Sequence, residues 1–203
     1  MIQTVVPIPE KTPVPKYRFS EPRRNLSTYT GRASAEDRFT IAFARAYWNQ
    51  FQRVHSRTTA DHLSLVREIP VNGFGITDLL AISWAQPIQP FSDLNEFVSF
   101  HKPTIRAFEM KLGSWRAAMS QASRYKNFAH QAIAVLPVSE CEKAFEYLET
   151  FQKIRVGLWT FDLQTASIKV IYTPRARKPR SHRYHLEALH KAAPVVKPAL
   201  PIA

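Results

Sequence analysis

Within the run IRAFEMKLGSW, residues 105–115, a carboxylate and an ammonium stand two positions apart in otherwise apolar chain: Glu109, Met110, Lys111. In an extended strand alternate side chains share a face. Glu109 and Lys111 then point the same way, roughly 7 Å apart along the strand. Burying one charge alone is costly, and a buried pair needs further partners. Asp78, the one acid in the apolar run ITDLLAISWA, supplies a second carboxylate if the two runs are neighbouring strands. Two converging carboxylates make a hard oxygen site of the kind Mg2+ accepts, with water and substrate phosphate in the remaining positions. A lysine beside them suits the orientation or deprotonation of an attacking water and the screening of a pentavalent phosphate. Such parts fit metal-assisted phosphodiester hydrolysis. Taken alone, the triplet equally describes an exposed ion pair at a strand end, and Asp78 an acid close to a turn. Their combination, with a capped helix directly after, favours chemistry.

The elements that must position these groups follow from periodicity. Ser34 with Asp37 has the spacing of a capping box. Phe39, Phe43, Tyr47 and Phe51 then recur every four residues, which predicts a helix over about 35–54. LSLVREIPV (63–71) and ITDLLAISWA (76–85) read as strands joined by the turn NGFG. A proline-bearing segment at 85–103 reads as a rim insertion with a short helix capped by Ser92. TIRAFEMKL (104–112) is a third strand, after which Ser114 caps a helix with an apolar stripe of Trp115, Ala118, Met119, Ala122 and Ala129. QAIAVLP (131–137) reads as a buried strand between helices. Ser139 and Glu142 suggest another capping box, and 156–162 with 167–173 a closing hairpin. Helix, three strands, helix, strand, helix, two strands is the order of a mixed α/β sheet flanked by helices. No internal repeat is visible.

Length and composition set the outer bounds. A chain of 203 residues suits one domain with a proper core. No run of eighteen apolar residues occurs, so no membrane span is expected. The start, MIQTVVPIPEKTPVPKYRF, lacks the basic and apolar regions of a secretory signal, and the single Cys141 excludes a disulfide framework; a cytoplasmic protein is the expectation. The net charge of +12 divides unevenly, with +4 in residues 1–33, +2 in 34–172 and +6 in 173–203. Ten of the fifteen prolines lie in the two ends, which are therefore expected to be basic, Pro-rich arms, 1–33 and 174–203, around a domain of 34–173. Basic arms point to an anionic polymer such as nucleic acid, with Arg175, Arg177, Lys178, Arg180 and Arg183 as phosphate contacts; solvated tails are the other reading. His182, His185 and His190 make a poor metal set. No Gly-rich phosphate loop occurs, which argues against ATP-driven activity.

Set in order, GITDLL, AFEMKLGSWRAAMSQASRY and AIAVLP resemble the PD-(D/E)xK nuclease superfamily, with its restriction-endonuclease-like fold, over about residues 35–137. The proline of the name is absent, since Thr77 precedes Asp78. The resemblance implies that Asp78, Glu109 and the main-chain carbonyl of Met110 bind Mg2+ (or Mn2+) and that Lys111 serves the water. QASRY matches the Gln-x-x-x-Tyr element of the RecB-like exonuclease branch. Gln121 and Tyr125, four apart on one helical face, would then reach the active site or the phosphate backbone, although Tyr125 reads equally as a half-buried core aromatic. In several relatives an acid of the first helix joins the metal. Glu36 is the candidate here, although an acid in a first turn is also what the helix dipole favours. Glu68 is an outside candidate. The implied activity is a Mg2+-dependent nuclease acting on DNA. Two alternatives stay open: a non-catalytic nucleic-acid-binding module that keeps the fold, and a nuclease that needs a partner protein or a second copy of itself.

Overall fold

Ser34 and Asp37 exchange the hydrogen bonds their spacing predicts: each backbone N–H donates to the other's side chain, at 3.0 Å. The helix they open is one of fourteen elements in a computed structural model that describes residues 16–17, 34–55, 61–85, 93–193 and 195–196. In chain order these begin with β1 (Lys16–Tyr17), α1 (Ala35–His55), β2 (Asp61–Val71), β3 (Gly75–Ala85) and α2 (Leu94–His101). The central part is β4 (Thr104–Met110), α3 (Trp115–Tyr125), β5 (Gln131–Leu136), α4 (Val138–Phe145) and α5 (Leu148–Ile154). The last are β6 (Gly157–Asp162), β7 (Ser167–Tyr172), α6 (His182–Ala192) and β8 (Val195–Val196).

Strands β2 to β7 form one mixed sheet whose spatial order is the chain order. The β2–β3, β3–β4 and β6–β7 pairs are antiparallel, and β4–β5 and β5–β6 are parallel. Parallel neighbours require a crossover; α3 supplies the first, α4 with α5 the second. β1 and β8 form a separate antiparallel pair.

Both faces of the sheet are covered, which explains strands that are apolar almost throughout. On one face Phe39, Phe43 and Tyr47 of α1 pack against Phe108, Met110, Ile133 and Phe161. On the other, Trp115, Ala118, Ala122 and Tyr125 of α3 join Leu80, Ile82, Ala107 and Phe151. Alternation along β4 sends Ile105 and Ala107 to the α3 face and Phe108 and Met110 to the α1 face. Trp84, Trp115 and Trp159 are core, as expected. Among the described residues no helix is long and apolar enough to cross a membrane.

Three expectations need correction. Ser139 and Glu142 form no capping box; α4 starts at Val138 behind Pro137, with no side-chain cap. α2 is capped by Asp93, which accepts from Asn95 N–H at 2.7 Å, while Ser92 lies outside the described residues. The third concerns the chain after 173. It is no simple tail, because residues 174–193 belong to the fold. Ser181 caps α6, and His185, Ala188, Leu189 and Ala192 are buried. Their i, i+3, i+4, i+7 spacing is a helical stripe that the average charge and proline content of the segment conceal. Of the expected arm at 1–33, all but 16–17 lies outside the described residues, as do 194 and 197–203. Leu189→Ala is expected to destabilise the protein by about 3 kcal/mol in urea titration, the usual result for a fully buried leucine. A tail residue would change it by less than about 0.5 kcal/mol.

Candidate active site

The β3–β4 register pairs Leu80 with Ala107 and Leu79 with Phe108. Continued by one residue, it sets Asp78 opposite Glu109, with both side chains on the face covered by α3. Here the β3–β4 ladder ends and a side chain takes over, because Met110 N–H donates to the Asp78 carboxylate at 2.7 Å. The next residue, Lys111, lies just past the strand. Its Nζ is 3.3 Å from Glu109 Oε1 and 3.5 Å from Glu36 Oε2. Glu36 reaches this point from the first turn of α1, a helix that otherwise packs on the opposite face. One end of β3 and β4 thus gathers three carboxylates and an ammonium.

Glu109 is fully buried. One of its oxygens contacts the Tyr125 hydroxyl, which also lies 2.9 Å from the Ile76 carbonyl. A phenol has a single proton and cannot donate to both. The set closes when Glu109 itself carries a proton, since Glu109 then donates to Tyr125 and Tyr125 to Ile76. Burial, reinforced by the charge of Asp78, pushes the Glu109 carboxyl up to about 7 against the pull of Tyr125 and Lys111. Asp78 is also raised by burial, with the Met110 N–H and Lys111 opposing. Burial draws Lys111 down, but Glu109, Asp78 and Glu36 outweigh it and lift the ammonium above its usual range. Burial and then Glu109 drive the Tyr125 phenol far up; Gln121, one helical turn earlier, acts the other way.

The helix that holds Tyr125 starts on two caps. Ser114 Oγ accepts from Ala117 N–H at 3.3 Å, as its position predicts. The Glu140 carboxylate accepts from Trp115 N–H at 3.0 Å from the next helix, a contact that no local pattern announces. That N–H and then Lys143 hold the Glu140 carboxyl below the usual range.

Around this centre the other expected residues are scattered. Glu68, opposite Asp78 in the β2–β3 register, is exposed and bonded to Arg67 at 3.1 Å; its backbone has φ 54°, a left-handed value rare for a side-chain-bearing residue in a strand. Arg67 also meets Asp37 at 2.9 Å. Arg175, Arg177, Lys178 and Arg180 line a separate cleft. Arg183 sits apart from them on α6, above the Tyr184 ring. His185 is buried, its Nδ1 2.9 Å from the Phe128 carbonyl.

Among the described residues no group of three His, Cys, Asp or Glu side chains is placed to hold a metal ion. Asp78 and Glu109 nevertheless suit a hard divalent cation, which commonly rests on one or two carboxylates plus water and phosphate. Among the described residues Glu109 Oε1 is buried without a hydrogen bond, and the Lys111 ammonium lies 3.3 Å from it. Tyr125→Phe should move the Glu109 titration upward by about one pH unit, the worth of one hydrogen bond to the ionised form. Carboxyl 13C NMR would read it; an unmoved titration would detach Tyr125 from Glu109. Compared with family models, curated proteins and solved structures, the chain finds no match.

Proposed function

We propose that the chain is a Mg2+-dependent nuclease that hydrolyses phosphodiester bonds, with DNA as its substrate, on a restriction-endonuclease-like framework. One observation carries this reading: Asp78, Glu109 and Lys111 meet at one strand end, where a buried Glu109 oxygen lacks a hydrogen bond. The succession of a helix, three antiparallel strands, a crossover helix and a parallel strand supports the framework.

Asp78, Glu109 and the Met110 main-chain carbonyl would hold the metal, Mn2+ serving as an alternative to Mg2+. When bound, such an ion polarises the phosphate and makes a coordinated water more acidic. The chain's own groups prepare for this. Met110 N–H fixes Asp78, so its charge is aimed before substrate arrives. Glu109 must release its proton to bind a cation, and the Tyr125 O–H favours the ionised form. Lys111 stays an ammonium among three carboxylates. Its part is therefore to donate hydrogen bonds and offset charge on the phosphate, rather than to take a proton from water. Glu36 holds Lys111 from the solvent side.

The test is incubation of the purified protein with supercoiled plasmid, linear duplex and single-stranded DNA, with Mg2+, Mn2+ or EDTA. Metal-dependent cleavage that Lys111→Ala removes supports the reading; cleavage insensitive to that change refutes the assignment.

A further inference from the structure

At the far end of the same strands lies a cleft of about 540 Å3 that the chemistry above does not use. Gln131, which lines it, stands beside Arg106 in the β4–β5 register, four residues before the level of Met110. Glu109 is three residues on from Arg106, so at about 3.3 Å per residue the cleft is roughly 10 Å along the strand from the Asp78–Glu109 pair. Lys126, directly after α3, Arg155, directly after α5, and Arg175, Arg177, Lys178 and Arg180 line it together. Lys153 adds a seventh cation and also meets Glu149 at 3.6 Å on its own helix. No acid is among the described lining residues.

These charges are displayed on fixed backbone. Arg177 N–H donates to the His130 carbonyl at 3.1 Å, Arg180 N–H to Lys126 at 3.1 Å and Ser181 N–H to Asn127 at 2.9 Å. Gln131 Nε2 clasps the Pro174 carbonyl at 2.7 Å, and its Oε1 accepts from Arg106 at 2.6 Å. Lys126 Nζ is held on the Ile154 carbonyl at 2.6 Å. Burial and then the charges of Arg180 and Arg155 draw the Lys126 ammonium down, which marks the mutual repulsion left inside the cleft. His130 does not add to the charge, because burial and then His185 bring it down to about 4. Holding like charges together without an internal counter-ion is unfavourable until an outside anion arrives. A single phosphate has at most two negative charges, fewer than seven cations require. A strand with a phosphate on every nucleotide supplies them in series.

We propose that this cleft grips the phosphodiester backbone of a nucleic acid away from the site of scission. The inference rests on the chain's own charge and shares with the nuclease reading only the class of ligand. It is tested by anisotropy of a labelled DNA duplex in EDTA across a salt series. The wild type is expected to bind without metal. Arg175→Ala, Arg177→Ala and Arg180→Ala together should weaken binding at least about tenfold near 100 mM salt. They should also flatten the slope of log K against log salt by about 2 to 3, near 0.9 for each phosphate that is no longer neutralised. Lys178→Glu, one exposed side chain outside the backbone ties, should weaken binding in the same direction and guards against misfolding of the triple variant. Unchanged affinity and slope in both variants would overturn the proposal, as would an absence of DNA binding in the wild type. Binding of pyrophosphate or a mononucleotide that depends on the cleft, while DNA binding does not, would overturn it in favour of a small phosphate ligand. DNA held through the cleft but never cut would leave it standing and refute the nuclease reading.

Discussion

Asp78→Asn is expected to lower metal-dependent cleavage by on the order of 10^3-fold while the fold survives. A charged ligand that helps to place a divalent ion is worth several kcal/mol in the transition state, and every 1.36 kcal/mol is a factor of ten in rate. Asparagine keeps an oxygen where Met110 N–H donates at 2.7 Å, so stability should change by no more than about 1 kcal/mol. Asp78→Ala is the less informative change. It leaves a buried N–H without a partner, at about 1–3 kcal/mol, and confuses lost chemistry with lost structure. Initial rates on linear duplex at saturating Mg2+, with urea titration in parallel, separate the two. Cleavage by Asp78→Asn within tenfold of the wild type would remove Asp78 from the mechanism.

Glu109→Gln should silence cleavage and, in EDTA at pH 8, make the protein more stable than the wild type. Burial lifts the Glu109 carboxyl from 4.5 to about 7 in the folded chain, so the folded state holds its proton more tightly than the unfolded one. The stability this proton brings is fully present below pH 4.5 and is lost as pH rises through about 7. Over that interval, at 1.36 kcal/mol per pH unit, up to about 3 kcal/mol disappears when Glu109 ionises. Glutamine has the same shape, never ionises and can donate to the Tyr125 oxygen as the protonated carboxyl does; Lys111 keeps Glu36. The variant is therefore expected to exceed the wild type by about 1–3 kcal/mol at pH 8 and to match it at pH 5. Urea titration at the two pH values reads this directly. A difference that does not vary with pH would show that no buried charge is being relieved. The wild type would thus give up stability for an acid poised to exchange its proton for a cation.

The order of the six sheet strands and the helices α1 and α3 were legible in the sequence because their signals are local, whereas the one helix expected after β5 is two, α4 and α5. Alternation along 105–111 placed Glu109 opposite in sense to Phe108 and Met110, and the two core faces divide the strand in that way. Ser34 with Asp37, and Ser114 at its helix start, cap as written, since a cap involves residues three apart. Ser139 with Glu142 had the same spacing and failed. The neighbouring Glu140 is drawn instead to Trp115, twenty-five residues back, and no spacing rule includes that competitor. The C-terminal helix was missed for a related reason: average charge over 174–203 hid a stripe that becomes stabilising only when the sheet is there to cover it.

The candidate site divides along the same line. By itself the sequence determined that Asp78 and Glu109 lie on neighbouring strands near a capped helix, because those are statements about period and propensity; the structure ends β4 at Met110 and leaves Lys111 just past it. Only the tertiary structure decided that Glu36 reaches Lys111 from a helix on the opposite face, and that the Tyr125 hydroxyl meets both Glu109 and the Ile76 carbonyl. It likewise brought Lys126 and Arg155 to the arginines of 175–180. Proton affinity and charge repulsion sum over neighbours in space, whatever their separation along the chain. Which charges become neighbours is settled only once the sheet and its helices have packed.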